Sequence, residues 1–92
     1  VKKLVIHPKE KISVQFHKHR NEKWHILKGT GKVFVEDNEF ECKKGSYFEI
    51  KKGQVHSIEN TGKKNLEIIE IQTGSKLFEK DIVRIKDIYG RT

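Results

Sequence analysis

Apolar residues along this chain come in short runs of β-branched and aromatic side chains, each closed by glycine or by small polar residues. No segment sustains the i, i+3, i+4, i+7 spacing of a helix, so the pattern predicts an all-β protein. Strands are expected at Val1–Ile6, Lys11–His17, Trp24–Lys28, Gly31–Glu36, Glu39–Lys43, Ser46–Ile50, Val55–Asn60 and Leu66–Thr73. A turn of helix around Phe78–Ile82 and a last strand at Val83–Ile85 complete the expectation. Turn chemistry separates them at Gly29-Thr30, Asp37-Asn38, Lys44-Gly45, Lys52-Gly53 and Thr61-Gly62. Many short strands at close spacing imply a sandwich or barrel. The absence of a linker or low-complexity stretch implies one domain over residues 1–92.

Composition refines this picture. A 92-residue chain buries only about 60% of its extended surface. With 34% hydrophobic residues and a mean hydropathy of −0.75, a modest core must carry the fold. A run of about 18 apolar residues and a secretory signal pattern are both missing, so a cytoplasmic protein that engages no membrane is expected. Cys42 is the sole cysteine, which excludes an internal disulfide and a thiolate zinc cluster. A metal must therefore be held by histidine, carboxylate or amide. The formal charge of +7 and pI near 9.6 attract anions. The lysines fall largely in pairs such as Lys2-Lys3, Lys43-Lys44, Lys51-Lys52 and Lys63-Lys64, which read as solvated charge at turns and not as a nucleic-acid face.

The candidate chemistry lies at Gln15, His17 and His19, whose two-residue spacing puts them on one face of a strand. A solvated strand face explains such a trio. A shared metal ion explains it too, because Val14 and Phe16 are apolar and point the other way, and neutral imidazole is a good metal ligand. Glu22 and His56 are the natural completing ligands. Trp24 shares the parity of Glu22 and reads as core or pocket wall, His25 has the opposite parity, His7 marks a strand end, and Cys42 reads as a small, partly buried hydrophobe.

These residues carry a resemblance to the cupin family, whose two motifs run G-x5-H-x-H-x3,4-E-x6-G and G-x5-P-x-G-x2-H-x3-N. The second maps onto Gly45, Lys51 in place of proline, Gly53, His56 and Asn60 with every spacing kept. In the first, His17, Glu22 and Gly29 fit, the earlier histidine falls on Gln15, and the opening glycine falls on Lys9. Gln15-Phe16-His17-Lys18-His19-Arg20-Asn21-Glu22-Lys23-Trp24, then Gly29-Thr30, resembles the C-terminal cupin domain of type II mannose-6-phosphate isomerases, which is often fused to a mannose-1-phosphate guanylyltransferase. The ending, from Ile69-Glu70-Ile71 through Asp81-Ile82-Val83-Arg84 to Tyr89-Gly90-Arg91, looks like the end of that domain.

The resemblance implies a small cupin β-barrel, or jelly roll, with a divalent metal on Gln15, His17, Glu22 and His56. Zinc is the first candidate, with manganese, nickel and iron as alternatives. It implies aldose–ketose isomerisation of mannose 6-phosphate, with His19 or Glu70 as the base and Arg84, Arg91 or a mouth lysine for the phosphate. A binding module that holds metal or sugar phosphate without turnover is the alternative. A homodimer is expected, because strands such as Leu66–Ile71 carry apolar residues on both faces.

Overall fold

A computed structural model describes residues 1–74 and 81–84. Among the described residues nine strands form in chain order: β1 (Lys2–Ile6), β2 (Lys11–Phe16), β3 (Asn21–Lys28), β4 (Gly31–Val35), β5 (Asn38–Cys42), β6 (Tyr47–Ile50), β7 (His56–Asn60), β8 (Leu66–Thr73) and β9 (Val83–Arg84). They build two antiparallel sheets, ordered β1-β8-β3-β6 and β5-β4-β7-β2-β9. The expected strands are all present with small shifts at their ends. The largest is in β3, which begins at Asn21 and so places Glu22 within a strand. Phe78 to Lys80 of the expected helical turn, Ile85 and Arg91 lie outside the described residues.

Alternation along each strand sends one stripe inward, and the register aligns these stripes into layers. Ile6 stands opposite Leu66, Leu4 opposite Ile68, and Lys2 opposite Glu70. On the other side of β8, Ile68 faces Ile26, Glu70 faces Trp24, and Gln72 faces Glu22. In the second sheet Val33 pairs with Ile58 and Val35 with His56. Gln15 also pairs with His56. The interior is therefore apolar in its middle and changes to polar at one end, where Lys2, Gln15, Glu22, His56 and Glu70 converge.

The apolar part is a single cluster that includes Ile6, Trp24, Ile26, Val33, Ile50, Ile58, Leu66 and Ile68. Each large aliphatic side chain buried there stabilises the fold by about 1.5–3 kcal/mol before entropy is counted. Cys42 belongs to this cluster and is fully buried, deeper than the partly buried position expected from the sequence.

The motif glycines hold turns and close approaches. Gly29 has φ 91° and lies so close to β8 that a Cβ there would meet the Asn65 carbonyl oxygen at 2.6 Å. Lys9, where the first motif opens with glycine, keeps the left-handed backbone at φ 70°. A lysine in that region carries a steric cost that glycine avoids. Lys51 replaces proline without loss, because its N–H donates to Gln54 Oε1 at 2.8 Å, a bond that proline has no hydrogen to make. Asn60, the last motif position, is buried and donates to the carbonyls of Ile6 and Lys64, both at 2.8 Å. It ties the end of β1 to the turn before β8.

Lys2 and Lys3 correct the reading of the lysine pairs as turn charge. Both lie in β1, Lys2 in the inward stripe and Lys3 outside, where its Nζ meets Glu67 Oε1 at 2.8 Å.

Candidate metal centre

Glu22 is the hub of the polar end. Its Oε2 lies 3.0 Å from His17 Nε2 and accepts Arg20 Nε at 3.0 Å. Its Oε1 accepts Trp24 Nε1 at 3.2 Å and lies 3.7 Å from His56 Nε2. Three chain segments bring these groups together: the loop after β2, β3 and the start of β7. One donor atom from each of His17, Glu22 and His56 falls within 4.8 Å of the others, and all three residues are buried.

The two imidazoles are aimed by backbone. His17 Nδ1 bonds the Asp81 carbonyl, and His56 Nδ1 bonds the Gln54 carbonyl at 2.9 Å. A carbonyl only accepts, so each Nδ1 carries a hydrogen and each Nε2 points at Glu22. Histidine ligands are oriented in this way around metals. Two Nε2 atoms and a carboxylate converging in a buried pocket fit a divalent ion of the zinc, manganese, nickel or iron type.

The loop that presents His17 is itself pinned. Asp81 accepts the N–H of Lys18 through Oδ1 at 2.8 Å and that of His19 through Oδ2 at 2.9 Å. The Gly53 N–H donates to the His17 carbonyl at 2.8 Å. Burial works against the Asp81 carboxylate, but these backbone donors and the charge of His19 and His17 hold it below its ordinary range.

Burial drives the Glu22 carboxyl upward, but hydrogen bonds with His17 and Glu70 and the charge of both imidazoles outweigh it and hold the group at about 2. Glu70 shows the complement. Burial, its hydrogen bond with Glu22 and the negative charge of Glu22 push it to about 7, so Glu70 keeps the proton that the pair shares. Burial lowers His17, yet its bonds to Glu22 and to the Asp81 carbonyl raise it overall. In His56 burial dominates and the group is lowered.

A pH prediction follows for the metal-free protein. Glu70 is raised on folding from 4.5 to about 7. The folded state thus holds more protons than the unfolded one across that window, and stability is lost as pH rises through it. Glu70→Gln keeps a donor toward Glu22 but cannot ionise. Its unfolding free energy minus that of the parent should therefore grow more positive from pH 5 to pH 7.5, by an amount on the order of 2 kcal/mol. Contributions from His17 and His56 are common to both proteins and cancel. A difference that stays flat in the presence of chelator would show that Glu70 is not the group responsible.

Of the residues singled out in the sequence, His17, Glu22, His56, Gln15 and Glu70 line one cavity of about 160 Å³ together with Lys2, Arg20 and Trp24. The Gln15 amide donates to the Ser13 carbonyl at 3.1 Å. His19 follows β2, is half-buried, and is not in the cavity wall. Arg84 is exposed on β9, opposite Gln15 in register. The sequence reading missed Arg20 and Asp81. Arg20 sits beside Glu22 in an otherwise solvated-looking Lys-His-Arg-Asn run, and Asp81 meets His17 across 64 residues.

The family model described as "Mannose-6-phosphate isomerase C-terminal" matches residues 1–87. The chain is 46% identical over 91 residues to a mannose-1-phosphate guanylyltransferase of Klebsiella pneumoniae, covering 99% of this chain and 19% of that protein. It is 42% identical over 92 residues to the alginate biosynthesis protein AlgA of Pseudomonas aeruginosa, covering 100% of this chain and again 19% of the relative. It thus spans about a fifth of the length of these curated relatives. Among solved structures, the cupin domain of Schizosaccharomyces pombe Cnp3 matches with a TM-score of 0.76 and 25% identity, covering 79% of this chain and 53% of that one. With its sheets, its motif spacings and 87 residues of family match in agreement, this chain belongs to the mannose-6-phosphate isomerase C-terminal family of cupin domains.

Proposed function

We propose that this chain is a metal-dependent isomerase domain that interconverts mannose 6-phosphate and fructose 6-phosphate. The observation that carries the reading is the buried His17, Glu22 and His56 group at the polar end of the barrel, in a chain of this family. These three residues would hold the ion, with Gln15 in the same cavity as the fourth candidate ligand. A bound divalent ion supplies Lewis acidity that stabilises negative charge developing on the sugar oxygens.

The protein supplies the proton transfer. Isomerisation takes a proton from C2 of the aldose, passes through an enediolate, and returns a proton to C1, while the carbonyl moves from C1 to C2. A group that ionises near the working pH serves best. Glu70 lines the cavity beside Glu22 whereas His19 is not in its wall, which favours Glu70 as the base. Arg20 keeps the Glu22 carboxylate in place, and Trp24 walls the cavity and donates to the same carboxylate.

The test is formation of fructose 6-phosphate from mannose 6-phosphate by the chain reconstituted with Zn, Mn, Ni or Fe(II), followed in a coupled assay. Turnover that disappears with chelator is expected. Binding of the sugar phosphate without turnover under any of the four metals would replace this reading with the second one, a module that holds metal and sugar phosphate.

A further inference from the structure

The polar cavity contains a cation that the sequence reading placed in solvent. Lys2 begins the inward stripe of β1, followed by Leu4 and Ile6, and pairs in register with Glu70. It is half-buried and lines the same cavity as His17, Glu22, His56 and Glu70. Leu4 and Ile12 are also in that wall, a surface suited to the aliphatic part of a lysine whose ammonium reaches a polar region. Among the described residues Arg20 is the other cationic side chain in the wall, and its guanidinium bonds Glu22 at 3.0 Å, with Nη2 3.4 Å from His17 Nε2. Arg84, by contrast, stands exposed on the outermost strand and is not part of the wall.

Charge then indicates the ligand. Among the described residues of the wall, even with both carboxyls ionised, Lys2 and Arg20 only balance Glu22 and Glu70. A divalent ion on neutral imidazoles and Glu22 leaves a surplus of at least two positive charges on these residues in a partly desolvated cavity. A phosphate monoester carries about −1.5 to −2 at neutral pH. A singly charged carboxylate would neutralise only part of the surplus.

We propose that Lys2 is the anchor for the phosphate group of the ligand in this cavity, a specificity-determining contact made from the edge of the first sheet. The assignment rests on the metal-centred sugar-phosphate reading above and moves the phosphate contact from Arg84 to β1.

Calorimetric titration of the zinc-loaded chain with inorganic phosphate, mannose 6-phosphate, unphosphorylated mannose and acetate tests this. Lys2→Gln should weaken phosphate and mannose 6-phosphate roughly tenfold, the worth of one charge-assisted hydrogen bond at its low end, and leave mannose unchanged. Lys2→Arg should keep affinity within about threefold, and Arg84→Gln should have no effect. Unchanged phosphate binding in Lys2→Gln overturns the proposal, as does an equal loss for mannose, which would mark a structural role. Acetate binding as tightly as phosphate with the same dependence on Lys2 overturns the phosphate assignment. The two readings fail separately. Lys2-dependent phosphate binding without isomerisation keeps the anchor and removes the isomerase, whereas isomerisation with an unchanged KM in Lys2→Gln does the reverse.

Discussion

Replacing His56 with alanine should reduce metal affinity by more than about 100-fold while leaving the two sheets intact. The parent should bind close to one ion per chain. His56 comes from the second sheet, and its Nδ1 is fixed by the Gln54 carbonyl so that Nε2 faces Glu22. Among the described residues no neighbouring strand offers an equivalent donor at that place in the wall. Loss of a mere supporting partner of a ligand typically costs 10–100-fold, so loss of the ligand itself should exceed that range. In the metal-free state the buried His17 imidazole is raised and paired with Glu22. Metal binding must displace its proton, so affinity should also fall as pH is lowered. Competition against a chromophoric chelator, run at two pH values, measures both effects. An alanine variant that binds zinc as the parent does would remove His56 from the centre.

The largest effect on stability is expected from Glu22→Ala. Glu22 is 2% exposed and bonds Arg20, which is 4% exposed. Removing the carboxylate leaves the guanidinium buried without its anion, an arrangement that costs about 3–5 kcal/mol. Trp24 Nε1 loses its acceptor at the same time. Denaturant unfolding of the metal-free proteins should show that loss. Adding Arg20→Met should recover part of it, because the stranded charge is then gone. If the single variant unfolds at the parent's midpoint, the buried ion pair does not support this end of the barrel.

The strands were legible because alternation and turn residues are local signals: seven of the expected segments needed only end adjustments, and Leu66–Thr73 needed none. His17, Glu22 and His56 were legible through motif spacing. What spacing could not reveal is what lies across the interior. The His17, Gln15 and His19 trio reads as one strand face, yet β2 ends at Phe16 and His19 turns into a loop pinned by Asp81. Arg20 carries no local mark of burial, since only the tertiary position of Glu22 gives its charge a partner. Lys2 and Lys3 look alike in sequence, and the pleat alone separates one that faces the cavity from one that bonds Glu67.

The aim of His17 depends on partners recruited from far along the chain. Its carbonyl accepts from Gly53 and its ring bonds the carbonyl of Asp81, 64 residues away. Long loop closures of this kind are entropically expensive and form slowly. Until the chain around Asp81 has docked, the His17 ring lacks the acceptor that aims it. Tight capture of metal is thereby expected to depend on that docking, even where the β3–β8 pairing is already in place.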